Sequence, residues 1–146
     1  MVKLLDARTS QNASYFNSIA VPVTAAPQLF GTLGLNATGA GTNIRVELSL
    51  TAAFTSAATV LTPVDITIYR GTGPNRVLIY SARETLPVSV LGIAATRLIT
   101  VTAADFNPPA PNNLLVYQAF INTAGGVAVA PTRTGPESFY AAAYSD

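Results

Sequence analysis

The sequence contains no histidine and no cysteine. The first absence removes the commonest general base, the commonest metal ligand and the side chain that titrates near neutral pH. The second removes disulfides and thiolate metal sites. Tryptophan is also missing, and lysine occurs once, at Lys3. Charge is sparse: Asp, Glu, Lys and Arg make up 10% of the 146 residues, against about 25% in an ordinary domain. The net charge is +1 with no basic stripe, so nucleic acid is not an expected partner. A nearly neutral surface repels its own copies only weakly. No stretch has the length and hydropathy of a membrane span, and MVKLLDARTS offers two leucines before Asp6 and Arg8, which is no signal-peptide core. The expectation is a single domain made in a cytoplasm without a secretory signal and without a membrane partner.

The reactive residues that remain do not form a recognisable constellation. Serines have no His or Cys to activate them, and the lone Lys3 makes a poor Ser–Lys pair. The carboxylates are Asp6, Glu47, Asp65, Glu84, Asp105, Glu137 and Asp146. Glu47 and Asp65 fall on wet strand faces by parity, and the others lie in turns or near the ends, so no acid–base pair stands out. Asp105 and Asn107 in ADFNPP read as turn residues rather than a Ca²⁺ site. GLNATGAG has glycines but no following lysine, so it does not cradle phosphate. Asn12-Ala-Ser and Asn36-Ala-Thr match a glycosylation pattern that has no meaning without secretion. Arg70, Arg76 and Arg83 surround GTGPN and read as a solubilised sheet edge rather than an anion site. No catalytic residue, metal site or cofactor is assigned.

What is present is β-forming. Thr, Val, Ile, Ala and Tyr recur between ten Gly and ten Pro. In NIRVELSLTAAF (43–54), Ile44, Val46, Leu48, Leu50, Ala52 and Phe54 share one face, with Arg45, Glu47, Ser49 and Thr51 on the other. VDITIYR (64–70) repeats the pattern, GTGPN makes a hairpin loop, and RVLIYSA (76–82) resumes it. Further predicted strands are 27–36, 86–92, 96–102, 113–122, 126–130 and 138–145. TAADFNPPAPNN (102–113) reads as a rigid loop and LNATGAGTN (35–43) as a flexible one. The fold expected is all-β: an antiparallel two-sheet jelly-roll-like sandwich of eight to ten strands over residues 27–146. Residues 1–26 are polar and poorly patterned. They read as an extended N-terminal arm, held by this sandwich or a neighbouring copy.

Three strands are apolar on both faces. In NLLVYQAFI, Leu114, Val116 and Phe120 oppose Leu115, Tyr117, Ala119 and Ile121. In RVLIY, Val77 and Ile79 oppose Leu78 and Tyr80, and in SFYAAAY, Phe139, Ala141 and Ala143 oppose Tyr140, Ala142 and Tyr144. A sandwich strand needs only one dry face. Each wet aliphatic or aromatic side chain forgoes roughly 1.5–3 kcal/mol of burial. A subunit interface built from Leu115, Tyr117, Phe139, Tyr140, Ala142 and Tyr144 is therefore expected, with small alanines admitting a close approach and the tyrosines supplying contact area.

The segments IRVELSLTA, DITIYRGTG…VLIYS and TGPESFYAAAYS give the chain a style that resembles the spore-surface proteins of endospore-forming bacteria. These are exosporium proteins with tumour-necrosis-factor-like jelly rolls, and the related appendage subunits. The resemblance implies a non-enzymatic building block of trimers, arrays or fibres, made in the mother cell without a secretory signal. Its partners would be copies of itself and other surface-layer proteins. In appendage subunits an N-terminal arm docks into a neighbour, a role residues 1–26 suit, although the arm cysteines usual there are absent here. Two other classes share this architecture: a carbohydrate-binding module using Tyr69, Tyr80 and Tyr117, and a viral capsid or decoration protein.

Overall fold

In the computed structural model, which describes residues 1–125 and 127–146, period-two patterning becomes strand. The elements in chain order are β1 (Lys3–Ala13), β2 (Val21–Pro22), β3 (Gln28–Asn36), β4 (Arg45–Ser56), β5 (Thr62–Arg70), β6 (Val77–Leu86), β7 (Ala95–Phe106), β8 (Leu114–Thr123) and β9 (Thr132–Ser145). One sheet has the order β1-β9-β4-β7, with β2 beside β9, and the other has β3-β8-β5-β6. All pairings are antiparallel. Two such sheets, with the chain crossing between them at most of its connections, make a nine-stranded jelly-roll-like sandwich.

The core is the space between the two inner faces. From the first sheet β4 sends in Val46, Leu48, Leu50, Ala52 and Phe54 and β9 sends in Phe139, Ala141 and Ala143, and from the second sheet β5 sends in Val64, Ile66 and Ile68. The second sheet adds Leu33, Leu35, Leu115, Tyr117, Ala119 and Ile121. Sequence periodicity shows which residues share a face but not which face turns inward. Leu115, Tyr117 and Phe139, expected at a subunit interface, are fully buried in this single copy. The other face of β8 carries Gln118, and the face free of amides and charges takes the interior.

Residues 1–26, expected as an extended arm held by this sandwich or a neighbour, begin with a strand held by this sandwich. Residues 3–13 pair with β9 along its length, from Lys3 opposite Ser145 to Ala13 opposite Glu137, and form the edge of the first sheet. A bulge near Leu5 turns Asp6 inward, where its carboxylate accepts the Asn36 N–H of β3 at 2.9 Å. One strand thus joins the two sheets along that side. Residues 86–92 are not a strand: the chain leaves β6 and makes a tight turn at Val90–Ile93. The predicted strand 126–130 is coil at 127–130, and Gly126 lies outside the described residues. β7 continues to Phe106, which shortens the proline loop to 107–113.

Candidate interaction surface

The outer face of the first sheet is set by register. Tyr144 lies opposite Leu4 on one side and Arg45 on the other, Ala142 opposite Ala7 and Glu47, and Tyr140 opposite Thr9 and Ser49. β7 extends these rows with Phe106, Ala104 and Thr102. Ala7, Ala142 and Ala104 therefore flank Glu47 across the middle row, and the larger Leu4, Tyr144, Arg45 and Phe106 make the row at one end. Phe106 is 71% exposed, Leu4 55% and Tyr140 38%. Beside Tyr140 lies a hollow of about 450 Å³ floored by Ser49, Thr102 and Ala104. A second hollow of about 280 Å³ lies between Val2, Arg45, Glu47 and Tyr144. Of the six expected interface residues, Tyr140, Ala142 and Tyr144 share this face. Ala142 lies between the two tyrosines along β9 and is itself fully buried.

The second sheet's outer face is partly covered by its own chain. Phe120 packs edge-on against Tyr69 with ring centroids 5.7 Å apart, and the Arg76 guanidinium lies 4.2 Å from the Tyr69 centroid and 4.6 Å from that of Phe120. A cation over two rings covers apolar area that would otherwise need a partner. The three-tyrosine sugar platform is not assembled. Tyr117 is in the core, Tyr80 lies opposite inward-facing Ile68, and only Tyr69 faces out. A bulge between Ile68 and Tyr69 breaks the expected alternation, so Leu78 and Tyr80 fall on opposite faces.

Charges are spent on the fold. Arg70 reaches both Asp105 carboxylate oxygens at 2.7 and 2.9 Å, and the Tyr117 hydroxyl donates to the same group at 2.9 Å. Burial, then the neighbouring Asp105 charge and hydrogen bond, push the Tyr117 phenol far above its usual range. Arg83 makes a two-pronged bond to Asp65 and holds that carboxyl below the usual carboxylate value. The Asn36 N–H does the same for Asp6, and Asn43 with Arg45 for Asp146. Arg97 pairs with Glu84 across the sheets at 2.9 Å. Arg70 and Arg76 are thus engaged within the fold, Arg83 stays exposed on edge strand β6 while paired to Asp65, and Asp105, expected in a turn, lies in β7.

Glu137, expected near a turn, lies in β9 and is fully buried. Arg133 donates to its two oxygens at 2.6 and 2.7 Å, and Asn12 of β1 donates at 2.6 Å. In a flat strand residues four apart stand too far apart for this. Here residues 134–136 bulge opposite Ala53, so Arg133 lies opposite Phe54 and Glu137 opposite Ala52. Gly135 permits the bulge: its φ is +81°, and a Cβ there would lie 2.5 Å from the Tyr15 carbonyl oxygen. Among the described residues, Glu47 is the one carboxylate without an arginine partner, and it stands on the outer face between Ala142 and Ala104.

No protein-family model matches the chain, and no curated protein does. Among solved structures it is similar to Eiger TNF from S. frugiperda, at 13% identity over 97% of this chain and 92% of that one, with a TM-score of 0.47. It is similar to the VP2 protein of infectious bursal disease virus, at 13% identity over 94% of this chain and 31% of that one, TM-score 0.47. It is also similar to dimeric latent PorU from Porphyromonas gingivalis, at 12% identity over 96% of this chain and 13% of that one, TM-score 0.43. The chain thus spans under a third of the VP2 chain and a small part of PorU. At these identities the likeness concerns the fold alone.

Proposed function

We propose that this chain is a non-enzymatic structural protein whose folded copies associate through the outer face of the β1-β9-β4-β7 sheet, in a bacterial spore or a comparable surface layer. The observation that carries this reading is that face itself: exposed Leu4, Phe106 and Tyr140 around a floor of Ala, Ser and Thr with Glu47 at its centre. Small floors with large margins let a second sheet approach closely while the rings fill the hollows. A non-enzymatic role is supported by the carboxylates: six of the seven are bound by arginine, and the seventh, Glu47, stands alone without a second acid. The spore setting rests on the sequence resemblance.

Ala142→Arg and Tyr140→Arg test the face. Both variants are expected to keep the β-sheet circular dichroism of the parent while losing the association made through this face, seen as lower masses than the parent's by light scattering at equal concentration. Parent-like assembly in both variants contradicts the reading. Tyr140 is partly exposed, so its variant remains informative if Ala142→Arg fails to fold.

A further inference from the structure

Six non-glycine residues among those described have positive φ: Asn17, Asn43, Leu91, Asn107, Asn112 and Asn113. Asparagine tolerates the left-handed region; a leucine there costs roughly 1–2 kcal/mol. The chain uses asparagine at every such position but one. Leu91 and Gly92, at φ +50° and +76°, are the two central residues of a hairpin turn closed by the Val90–Ile93 bonds of 2.9 and 3.2 Å. Positive φ at both positions is what a type I′ turn requires, and Asn-Gly is its preferred sequence. Leucine gains nothing here from packing: its side chain is 95% exposed. Val90 and Ile93 flank it and are exposed too. The β4–β5 loop adds exposed Val60 and Leu61, held alongside by the Ser89 N–H donating to the Ala58 carbonyl at 2.8 Å. The result is a protruding tip of five aliphatic side chains, one on a strained backbone. Strain kept without a folding reward points to a role outside the fold.

The opposite end of the sandwich holds a concavity. A groove of about 390 Å³ lies between the β5–β6 loop, the β7–β8 loop and the start of β8, lined by Gly71, Val77, Pro109, Pro111, Leu114 and Val116. The Gly71 N–H donates to the Val116 carbonyl at 2.8 Å and fixes the two walls. Arg70 also lines it, already bound to Asp105. No charged residue occurs between Glu84 and Arg97 around the tip, or between Asp105 and Arg133 along the groove's proline wall and β8. Neither surface has an unpaired charge to desolvate, and the tip has no lysine or arginine collar of the kind that draws loops to anionic lipid.

We propose that the Leu91 tip of one copy seats in the proline-walled groove of the next. This rests on the reading above that copies associate, and it adds a second, distinct contact. Tip and groove are different surfaces at opposite ends, so the contact is head-to-tail and generates an open chain of subunits. Strands of 12 to 14 residues at about 3.3 Å per residue give an axial repeat of roughly 40–50 Å.

The experiment uses the full chain carrying Tyr140→Arg, which disables the sheet face. Leu91→Asn and Leu114→Arg are then added separately, and each protein is weighed by light scattering. The parent of this set is expected to form concentration-dependent chains. Each double variant alone is expected at 15.1 kDa. An equimolar mixture is expected to stop at twice that mass, because it offers one intact tip and one intact groove. Leu91→Asn is expected to leave the Tm unchanged or raised, since asparagine suits the turn. Three results overturn the proposal: chains that persist with Leu91→Asn, a mixture that stays monomeric, or a Tm several degrees lower with Leu91→Asn. Tip-dependent binding of a monomeric parent to phosphatidylcholine–phosphatidylserine vesicles assigns the tip to lipid and overturns it as well. Wild-type protein that is monomeric at every concentration removes this contact and the sheet-face reading together. Loss of chains only in the Leu91 and Leu114 variants separates the two.

Discussion

Tyr117 presses its hydroxyl against Asp105 inside the sandwich, and that placement has a pH signature. Its folded value is raised above the ordinary 10.0 of a tyrosine. The folded protein therefore holds the phenol proton over a range in which the unfolded chain has released it. The stability linked to this group is complete below about pH 10 and falls as pH rises above it. Urea midpoints measured from neutral to strongly alkaline pH are expected to drop above that point, and the drop is expected to shrink in Tyr117→Phe. That variant loses one bond to a charged group and is expected to cost about 1.5–3 kcal/mol at neutral pH. Glu137 offers a sharper case. Glu137→Gln leaves the Arg133 guanidinium buried without its counter-ion, and denaturant melts are expected to show a loss of about 3–5 kcal/mol. The double replacement Arg133→Met with Glu137→Leu is expected to recover most of that loss.

Strand by strand, three paired carboxylates carry the acid sensitivity. Asp6 on β1, Asp65 on β5 and Asp146 just beyond β9 all have carboxyls held below the ordinary 3.8. Their contribution is complete above that value and is lost as pH falls through the lower folded values. Tm is expected to decline between about pH 5 and pH 2, less steeply in Asp6→Asn, which keeps its place in β1 but not the charge that accepts the Asn36 N–H. β4 and β5 were legible in the sequence because each buries one face, and burial writes a period of two; β8, apolar on both faces, was legible as an apolar run between turn residues. β1 was not. It is an edge strand with little buried area, and its place is set by backbone bonds to β9, to which LLDARTSQ gives no side-chain clue. The Val90–Ile93 turn was missed for a related reason: its aliphatic run imitates a strand, and Gly92 was the one signal of a hairpin. At the candidate surface, β9's alternation correctly grouped Tyr140, Ala142 and Tyr144. Parity alone had no means of telling that Leu115, Tyr117 and Phe139 face inward. Nor does spacing in a straight strand reveal the Arg133–Glu137 pair, which exists only because of the bulge at 134–136.

As a whole molecule, the protein carries few charges and ties most of them into internal pairs, leaving its outside short of charge and long on apolar area. Glu47 is the exception at the centre of the proposed contact. Removing its charge in Glu47→Gln is expected to strengthen self-association by several-fold, because a lone carboxylate is then no longer stripped of water in the interface. The most direct test of the central claim is the mass of the purified wild-type chain in solution, followed by light scattering over a wide concentration series at neutral pH. Association through uncovered sheet surface predicts masses that climb in multiples of 15.1 kDa as concentration rises. A constant 15.1 kDa across the series contradicts it.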